Sequence, residues 1–505
     1  MHAAPVHSGR MAVTVIKGAA YCITLASTLC LLYRSTSSMP PVPLPLPTYN
    51  QVTKHNLAQL QPMIVLLLKQ AAFIALDAEF TGLGPKGVTT RASDIQERYQ
   101  HLCDLARSHA LVAFGLSIFI KAESSRENPD GTASTSSETE SGIGARSDLE
   151  QSYQVHNFNF SMLSEADYTV SPRSMLFLAE NGLDLNQWIL EGIPYTGGDR
   201  LTNEGGRGNP NGIMRSIFKR IMTRQVPVVI HNGFLDLVFL YYSFYANLPP
   251  KLETFVADLS DMFPGGLFDT KYISDYITRE RSSFLAYLFR KYERHNSRAK
   301  DEADPSARGI YSTFGVQPRL PLPPIQETKP ETKPSTSGAA YCEDYAFHGA
   351  CKKNMRCGKS HDLDLILDAE EEQRDSKKRK RQKQSHDAAK IQQAASVNGT
   401  SDTSPTEVVA EALNVLETPE SKTVAVMTTA KTIESSVLPV EKFHSAYFDA
   451  FMTGTIFSHQ VNQHQAEEVD AKARNKIYLI GKSFPLKIEK SAFAKYSREH
   501  ERQRQ

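Results

Sequence analysis

Two carboxylates lie two residues apart in an otherwise apolar segment. Asp77 and Glu79 belong to FIALDAEF (73–80), whose apolar and β-prone residues, followed by Thr-Gly-Leu-Gly, predict a buried strand that ends in a tight turn. Residues i and i+2 of a strand share one face, so both side chains point the same way. Such a pair needs a cation or a proton to neutralise it, and Mg²⁺ prefers oxygen ligands of this kind. The pair alone is also compatible with an acidic strand end that faces solvent.

Three further residues with catalytic chemistry occur later in the chain. Asp236 lies in the first turn of a predicted helix (234–248), where an acid also suits the positive end of the helix dipole. His444 and Asp449 are five residues apart, which on a helix would separate them by about 140°. We therefore expect His444 in the loop before the last helix and Asp449 in its first turns. Taken singly, these residues could be ordinary surface side chains.

A cysteine-rich cluster predicts a second kind of metal site. The pattern C-x8-C-x5-C-x3-H is formed by Cys342, Cys351, Cys357 and His361. Three thiolates and one imidazole make a closed, structural zinc site. Aromatic side chains that stack on bases, and cations that meet phosphates, are what single-stranded RNA binding needs. Residues of these two kinds lie in and around the cluster: Tyr345, Phe347, Lys352, Lys353, Arg356 and Lys359. A purely structural or protein-binding finger is the alternative.

A dense basic run follows the cysteine cluster. The stretch KKRKRQK (377–383) comes directly after an acidic stretch (362–375), and its consecutive cations are Lys377, Lys378, Arg379, Lys380 and Arg381. In a flexible segment, such a run predicts a nuclear localisation signal read by a nuclear import receptor, or an arm that contacts RNA. A solvated run of charges without a partner is the third interpretation.

The elements that would position the carboxylates alternate between helix and strand. Predicted helices are 62–72, 95–110, 175–190, 211–224, 234–248, 284–295 and 443–461, and predicted strands are 73–80, 110–120, 153–160, 226–230, 266–274 and a pair within 476–488. This alternation predicts an α/β fold with a mixed central sheet flanked by helices. A Ser-, Thr- and Gly-rich segment (121–148) predicts a long loop between two of the strands.

Composition limits how much of the chain can fold and which partners it attracts. Hydrophobic residues make up 40% of the 505 residues, below the roughly 45–50% of compact domains. The 57 Lys and Arg residues balance 56 Asp and Glu residues, so any basic surface must come from local clustering. Six cysteines in a chain of this length exclude a disulfide-based scaffold.

Shifts in composition divide the chain into a domain with an insertion. We predict an extension (1–52), a first domain part (53–300), a linker (301–338), a finger (339–364), a disordered segment with the basic run (365–440), a second domain part (441–490) and a tail (491–505). Long insertions add little closure entropy, so replacing 305–438 with a short linker should leave a folded domain. The apolar segment 11–33 is interpreted as an extended start, a signal region or a weak anchor, and no membrane partner is expected.

The order of these motifs resembles a known enzyme superfamily. The pattern D-x-E, D, H-x4-D resembles the DEDD superfamily of 3′-to-5′ exonucleases, in the subgroup whose general base is histidine. The surrounding segments look like CAF-type deadenylases, which include poly(A)-specific ribonuclease: ALDAEFTGLG (75–84), IQERY (95–99), HNGFLDLVFLY (231–241), FPGGLFDTKYI (263–273) and HSAYFDAFMTG (444–454).

The resemblance implies a ribonuclease H-like fold and a two-metal mechanism. Two Mg²⁺ (or Mn²⁺) ions would be held by Asp77, Glu79, Asp236 and Asp449, and His444 would take the proton of the attacking water. The substrate would be the single-stranded 3′ adenylate tail of an RNA, and the product 5′-AMP.

The CCCH finger and the basic run narrow the resemblance to nuclear members of this family. They imply trimming of nuclear RNAs, small nuclear RNAs among them, in nucleoplasmic bodies, with nuclear RNA-processing complexes as partners. The finger would hold one structural Zn²⁺. Two other functions stay open at this point: a catalytically weak RNA-binding scaffold protein, and an exonuclease that acts on DNA.

Overall fold

A computed structural model describes nine segments of the chain: 48–85, 94–122, 150–198, 209–301, 311–316, 340–353, 356–397, 444–464 and 466–504. All of them belong to one unit, Pro45–Gln505. The apolar segment predicted at 11–33, and most of the loop predicted at 121–148, lie outside the described residues. Among the described helices, none combines the length and the apolar character needed to cross a membrane.

The described strands form one mixed sheet. They are β1 (Asn50–Val52), β2 (Phe73–Phe80), β3 (Leu111–Lys121), β4 (Glu150–Ser164), β5 (Ile193–Tyr195), β6 (Val228–Ile230), β7 (Leu267–Asp269), β8 (Tyr311–Val316), β9 (Lys476–Ile477) and β10 (Leu486–Lys487). Their order is β1-β4-β3-β2-β6-β7-β9-β10, with β5 and β8 also paired to β4. β2, β3 and β4 are antiparallel, whereas β2, β6, β7 and β9 are parallel.

Helices cover both faces of this sheet. They are α1 (Leu57–Gln70), α2 (Ile95–Ser108), α3 (Pro172–Glu180), α4 (Leu185–Glu191), α5 (Pro210–Met222), α6 (Phe234–Phe244), α7 (Leu252–Met262), the single turn α8 (Thr270–Tyr272), α9 (Leu285–Asp301), α10 (Glu343–His348), α11 (Leu363–Val397), α12 (Ala446–His464), α13 (Ala466–Ala473) and α14 (Arg498–Arg504). One core cluster joins the sheet to α1, α2, α5, α6 and α7, and a second joins it to α9, α12 and α13. The predicted α/β fold with a mixed central sheet flanked by helices is confirmed.

Successive side chains of β2 point to opposite faces of the sheet, and each face packs into a different core cluster. Ile74 and Leu76 pack into the first cluster, while Phe73 and Ala75 pack into the second, on the side of α12. Asp77 and Glu79 continue the face of Phe73 and therefore emerge on the α12 side, at the end of the strand.

The folded part extends beyond the predicted boundaries at both ends. β1 lies in the segment predicted as an extension, yet it pairs in parallel with β4 and buries Val52 completely. α14 lies in the predicted tail, yet His500 is buried and bonds to Tyr245 and Asp261. These elements are too short to show a hydrophobic period, so composition alone did not reveal them.

The predicted linker and disordered segment also contain ordered elements. β8 lies within 301–338 and pairs in parallel with β4. α11 covers Leu363–Val397, so it begins at the end of the predicted finger and continues through the first part of the stretch predicted as disordered (365–440). Its first turns bury Ile366 and Leu367 against α9. The absence of Phe, Tyr and Trp between 384 and 440 did not prevent a helix, because two aliphatic side chains and several ion pairs anchor its start.

The single helix predicted at 175–190 is two helices, α3 and α4. Gly182 between them has φ of 94°, a left-handed conformation that ends the first helix. Asp184 then caps the second by accepting from the amides of Asn186 and Gln187. Phe177, an exposed side chain of α3, contacts the ring of His444.

Candidate active site

Three carboxylates converge at the end of β2. Ligand oxygens of Asp77, Glu79 and Asp449 all lie within 4.8 Å of one another. Asp77 and Glu79 are half-buried, and Asp449 is buried in the first turn of α12. Residues at opposite ends of the domain sequence, Asp77 and Asp449, therefore lie in one cluster.

Close packing between α12 and the sheet makes this convergence possible. Gly115 of β3 is directly opposite Asp77 in the strand register, and a Cβ there would lie 1.9 Å from the carbonyl oxygen of Ala446. Further along α12, a Cβ on Gly454 would lie 2.1 Å from Cε2 of Phe119. The two glycines let the helix backbone lie directly on β3, which brings Asp449 to the carboxylates of β2.

Asp236 borders the same cluster from α6. It lies in the first turn of that helix, and the backbone amide of Ala78, the residue between Asp77 and Glu79, is close enough to lower the pKa of Asp236. Its negative charge raises the pKa of Asp77, Glu79 and Asp449, so it acts on all three. Asp236 is not one of the three residues, Asp77, Glu79 and Asp449, whose oxygens lie within 4.8 Å of one another.

A fully buried aspartate, which the sequence did not reveal, holds the turn before Asp236. Asp269, at the end of β7, accepts hydrogen bonds from the amides of Asn232 (2.9 Å), Lys271 (3.0 Å) and Tyr478 (3.0 Å). It thereby fixes the left-handed Asn232 (φ 55°) that leads into α6 and ties the C-terminal segment to the site. Its position at the carboxyl end of a strand parallel to β6 is a signal that could have found it.

The electrostatics of the cluster require a counterion. Burial first, and then the charges of Asp449 and Asp236, raise the pKa of Asp77 and Glu79 well above the usual carboxyl range. Burial likewise raises the pKa of Asp236 and Asp449 to about 7. Within the described part of the chain, no Lys or Arg forms an ion pair with any of these four acids. Protons or bound cations must therefore neutralise them.

His444 lies beside the cluster, in the turn before α12. Its backbone has φ of 76°, and its amide donates to Oδ1 of Asp449 at 3.4 Å. Its ring contacts that of Phe177, a 43% exposed residue of α3, with centroids 4.9 Å apart. Loss of hydration lowers the pKa of His444, so the ring is neutral at neutral pH. Phe177 is a second site residue that the sequence did not reveal; its exposure is visible only in the fold.

Comparison with known proteins identifies the family. A sequence model described as CAF1 family ribonuclease matches residues 52–205 and 203–457. The chain belongs to the CAF1 ribonuclease family. The CAF-type resemblance drawn from the motifs is thus confirmed.

Individual relatives of this CAF1-family chain match over shorter stretches. The pre-piRNA 3′-exonuclease trimmer of Bombyx mori is 38% identical over 64 residues, 13% of this chain and 12% of the relative. Poly(A)-specific ribonuclease PARN of Xenopus laevis is 27% identical over 208 residues, 37% of this chain and 29% of the relative. The chain therefore spans less than a third of the length of these curated relatives.

Solved structures show a limited similarity to this chain. The chain resembles S. pombe Pop2p in its Mg²⁺- and Mn²⁺-bound form, with 18% identity and a TM-score of 0.34, over 49% of this chain and 83% of that one. The RNase domain of yeast Pop2 gives 17% identity and a TM-score of 0.33, over 50% and 80% of the two chains.

The insertion of this CAF1-family chain contains the second metal-ligand cluster. Ligand atoms of Cys342, Cys351, Cys357 and His361 lie within 4.8 Å of one another, and the first two residues are buried. Nε2 of His361 is buried without a hydrogen-bond partner in the described structure. Three thiols and one unpartnered imidazole nitrogen at this spacing fit a tetrahedral zinc ion.

The predicted RNA-contacting residues of the finger divide into two groups. Exposed side chains belong to Phe347, Lys352, Lys353, Arg356 and Lys359. Tyr345 is different, because its ring stacks on His361 with centroids 4.5 Å apart and also meets Phe284. Tyr345 therefore packs the finger against the nuclease domain and does not present a free ring for base stacking. The basic run, Lys377, Lys378, Arg379, Lys380 and Arg381, is exposed on α11.

Proposed function

We propose that this protein is a metal-dependent 3′-to-5′ exoribonuclease that shortens the 3′ adenylate tails of RNA. The observation that carries the proposal is the cluster of Asp77, Glu79 and Asp449, with Asp236 beside it and His444 at its edge. Four acids that form no ion pair with a described Lys or Arg, next to a neutral histidine, suit hydrolysis of a phosphodiester bond. The family match and the names of the curated relatives support the adenylate tail as substrate.

The acids fit two divalent cations, Mg²⁺ or Mn²⁺, by chemistry and by charge. Carboxylate oxygens are the ligands that these hard ions prefer. The pKa values of the acids are raised because burial and neighbouring negative charges destabilise the ionised carboxylates, and bound cations would relieve this. Asp77, Glu79, Asp236 and Asp449 would hold the ions. When bound, the ions supply charge stabilisation at the reacting phosphate and lower the pKa of water.

His444 supplies the general base in this proposal. Its lowered pKa keeps the ring neutral, which is the form that accepts a proton from water. Its amide bond to Asp449 and the contact of its ring with Phe177 hold the imidazole beside the carboxylates. Attack on the last phosphodiester bond would then release the terminal nucleotide as 5′-AMP.

The insertion suits a role in RNA selection and in the localisation of the protein. One structural Zn²⁺ would be held by Cys342, Cys351, Cys357 and His361, and the exposed side chains of the finger would contact RNA. The basic run would be bound by a nuclear import receptor. On this proposal the protein acts in the nucleus, in nucleoplasmic bodies and with nuclear RNA-processing complexes, on nuclear RNAs that include small nuclear RNAs.

One assay tests the activity and its substrate. The purified chain is incubated with 3′-adenylated RNA, with oligo(U) and oligo(C) tails and with oligo(dA), in Mg²⁺, in Mn²⁺ and in EDTA. We expect stepwise shortening and release of 5′-AMP from the adenylated RNA, and none in EDTA. Equal rates on oligo(dA) would favour a DNA exonuclease, and RNA binding without shortening would favour a scaffold protein.

The role of His444 predicts a specific pH profile. His444→Asn keeps a residue type that tolerates the left-handed backbone at φ 76° but removes the base. At saturating Mg²⁺ we expect kcat to fall by about 10²–10⁴-fold, the range that a general base contributes. Wild-type activity should decline as pH falls through the pKa of His444, below its ordinary 6.5. Stopped assays from pH 5 to 9 measure this. A variant with wild-type kcat would place the base elsewhere.

The close approach at Gly115 predicts that a single methyl group impairs the site. In Gly115→Ala the new Cβ collides with the carbonyl oxygen of Ala446, so the start of α12 must move away with Asp449. A misplacement of about 1 Å costs about 10²-fold in rate, and we expect at least that loss in kcat. Gly212→Ala is the matched control, because its Cβ meets nothing within 4 Å on an exposed position of α5. Equal activities of the two variants would contradict this account.

A further inference from the structure

The long helix α11 has two parts with opposite surroundings. Its 35 residues correspond to a length of about 52 Å at 1.5 Å per residue. The first turns are packed: Ile366 is fully buried, Leu367 is 3% exposed and Glu370 is 4% exposed. From Glu372 to Gln382 every residue is exposed. The helix therefore starts inside the domain and continues into solvent.

Ion pairs with α9 fix the direction of the helix. Arg290 binds Asp364 at 2.8 Å, and Arg294 contacts both Asp364 and Asp368. The hydroxyl of Tyr287 donates to Glu370 at 2.7 Å. The acidic stretch before the basic run is thus mostly used to attach the helix to the nuclease domain, so the basic run has a defined position relative to that domain.

The basic run itself has no partner in the described structure. No ion pair is formed by any of Lys377, Lys378, Arg379, Lys380 and Arg381 within the described residues. Successive residues of a helix are rotated by about 100°, so the five charges point to all sides of the helix. Like charges at i and i+4, such as Lys377 and Arg381, destabilise a helix. An exposed helix of this kind is stabilised by a polyanion that surrounds it.

We infer that the exposed part of α11 is a binding arm for the phosphate backbone of folded RNA upstream of the 3′ tail. The inference rests on the proposed function, which supplies RNA as the substrate. The finger supports it, since its exposed cations Lys352, Lys353, Arg356 and Lys359 end just before α11 begins and carry the same sign of charge. Phosphates on several sides of a helix occur in folded RNA, whereas a short single strand can follow only one side.

Binding at a series of salt concentrations tests the arm. Two RNAs are compared, an adenylated hairpin and a six-nucleotide oligo(A), both in an Asp77→Asn background that prevents hydrolysis. The test variant is Lys377→Ala, Lys378→Ala, Arg379→Ala, Lys380→Ala and Arg381→Ala together. Alanine keeps the helix propensity high, so the change removes charge and not structure.

We expect the test variant to bind the hairpin at least tenfold more weakly at 0.15 M salt. The slope of log K against log salt should become shallower by about 2–3, since each phosphate contact contributes about 0.7–0.9. The affinity for oligo(A) should change much less. A second variant, in which each of the three Lys residues becomes Arg and each of the two Arg residues becomes Lys, should show the wild-type salt slope. The control pair Glu372→Gln and Asp375→Asn, on the same exposed helix, should not weaken binding.

Several results would overturn the inference. An unchanged hairpin affinity and salt slope in the test variant would do so. If that variant also lost nuclear accumulation in cells, the basic run would be an import signal alone. An equal loss for hairpin and oligo(A) would indicate a general charge effect. If wild-type protein shortens no RNA but the slope changes as expected, the proposed function fails while the arm is retained.

Discussion

Asp77→Asn is expected to abolish the shortening of adenylated RNA and, at the same time, to stabilise the protein in EDTA. The two effects have one cause. Asp77 contributes a negative charge to a buried group of acids that repel one another without a cation, which is why its pKa is raised. Removing the charge removes a metal ligand, and a bound cation contributes several kcal/mol to catalysis, so we expect a loss of at least about 10³-fold in kcat.

The sign of the stability change follows from the direction of the pKa shift. An acid whose pKa is higher in the folded than in the unfolded state destabilises the fold fully above its folded pKa. This cost shrinks as pH falls below the folded pKa and is gone only below the unfolded pKa. Asp236 and Asp449, whose pKa values are raised from 3.8 to about 7, make metal-free wild type gain stability as pH falls from about 7 toward 3.8. Asp77→Asn removes part of that repulsion, so its melting temperature in EDTA should be higher and less dependent on pH.

Thermal melts with and without Mg²⁺, together with kcat, measure these effects. Asp104→Asn is a suitable control, because that carboxylate is 76% exposed and pairs with Arg107 on the surface. It should leave kcat, the melting temperature and the stabilisation by Mg²⁺ nearly unchanged. A metal-free Asp77→Asn protein that melts below wild type would mean that Asp77 has a structural partner and that the metal assignment is wrong.

The sequence could predict relations between residues that are close together in the chain, but not those between residues that are far apart in it. The i, i+2 spacing of Asp77 and Glu79 is local, so their common face followed from strand geometry. Their approach to Asp449 depends on Gly115 and Gly454, two residues that no periodicity marks and that matter only because another backbone lies on them. Asp269 and Phe177 were missed for the same reason, since their roles arise from elements distant in sequence.

The insertion shows the same limit on a larger scale. Its composition predicted a separable segment, but the packing is with the domain. Ala346 of the finger and Ile366 and Leu367 of α11 are buried in the cluster that contains Tyr287 and Leu288 of α9. A few aliphatic residues in a polar stretch form too weak a pattern to predict that they contact residues of α9, about 80 positions earlier in the chain.

Replacing 305–438 with a short linker is therefore expected to unfold or severely destabilise the domain, contrary to the expectation from loop closure. The deletion exposes Tyr287 and Leu288 and leaves Arg290 and Arg294, whose side chains are only 14% and 10% exposed, without most of their acidic partners. The acidic partners Asp364, Asp368 and Glu371 are 45%, 59% and 36% exposed, so their loss costs only about 1 kcal/mol each. The larger cost is the loss of the buried side chains of Ile366 and Leu367, about 2–5 kcal/mol each. A domain is stable by only about 5–15 kcal/mol, so these losses alone approach the total.

A pair of point variants on α11 isolates the cause. Ile366→Ala with Leu367→Ala removes two buried side chains, each worth about 2–5 kcal/mol, and should lower the melting temperature strongly while all loops stay in place. Leu365→Ala is the matched control on the same turn, because that side chain is 38% exposed. A replacement of 400–440 alone, which keeps the packed turns of α11, should melt close to wild type. A 305–438 replacement that remains as stable and active as wild type would show that the finger and α11 do not support the nuclease domain.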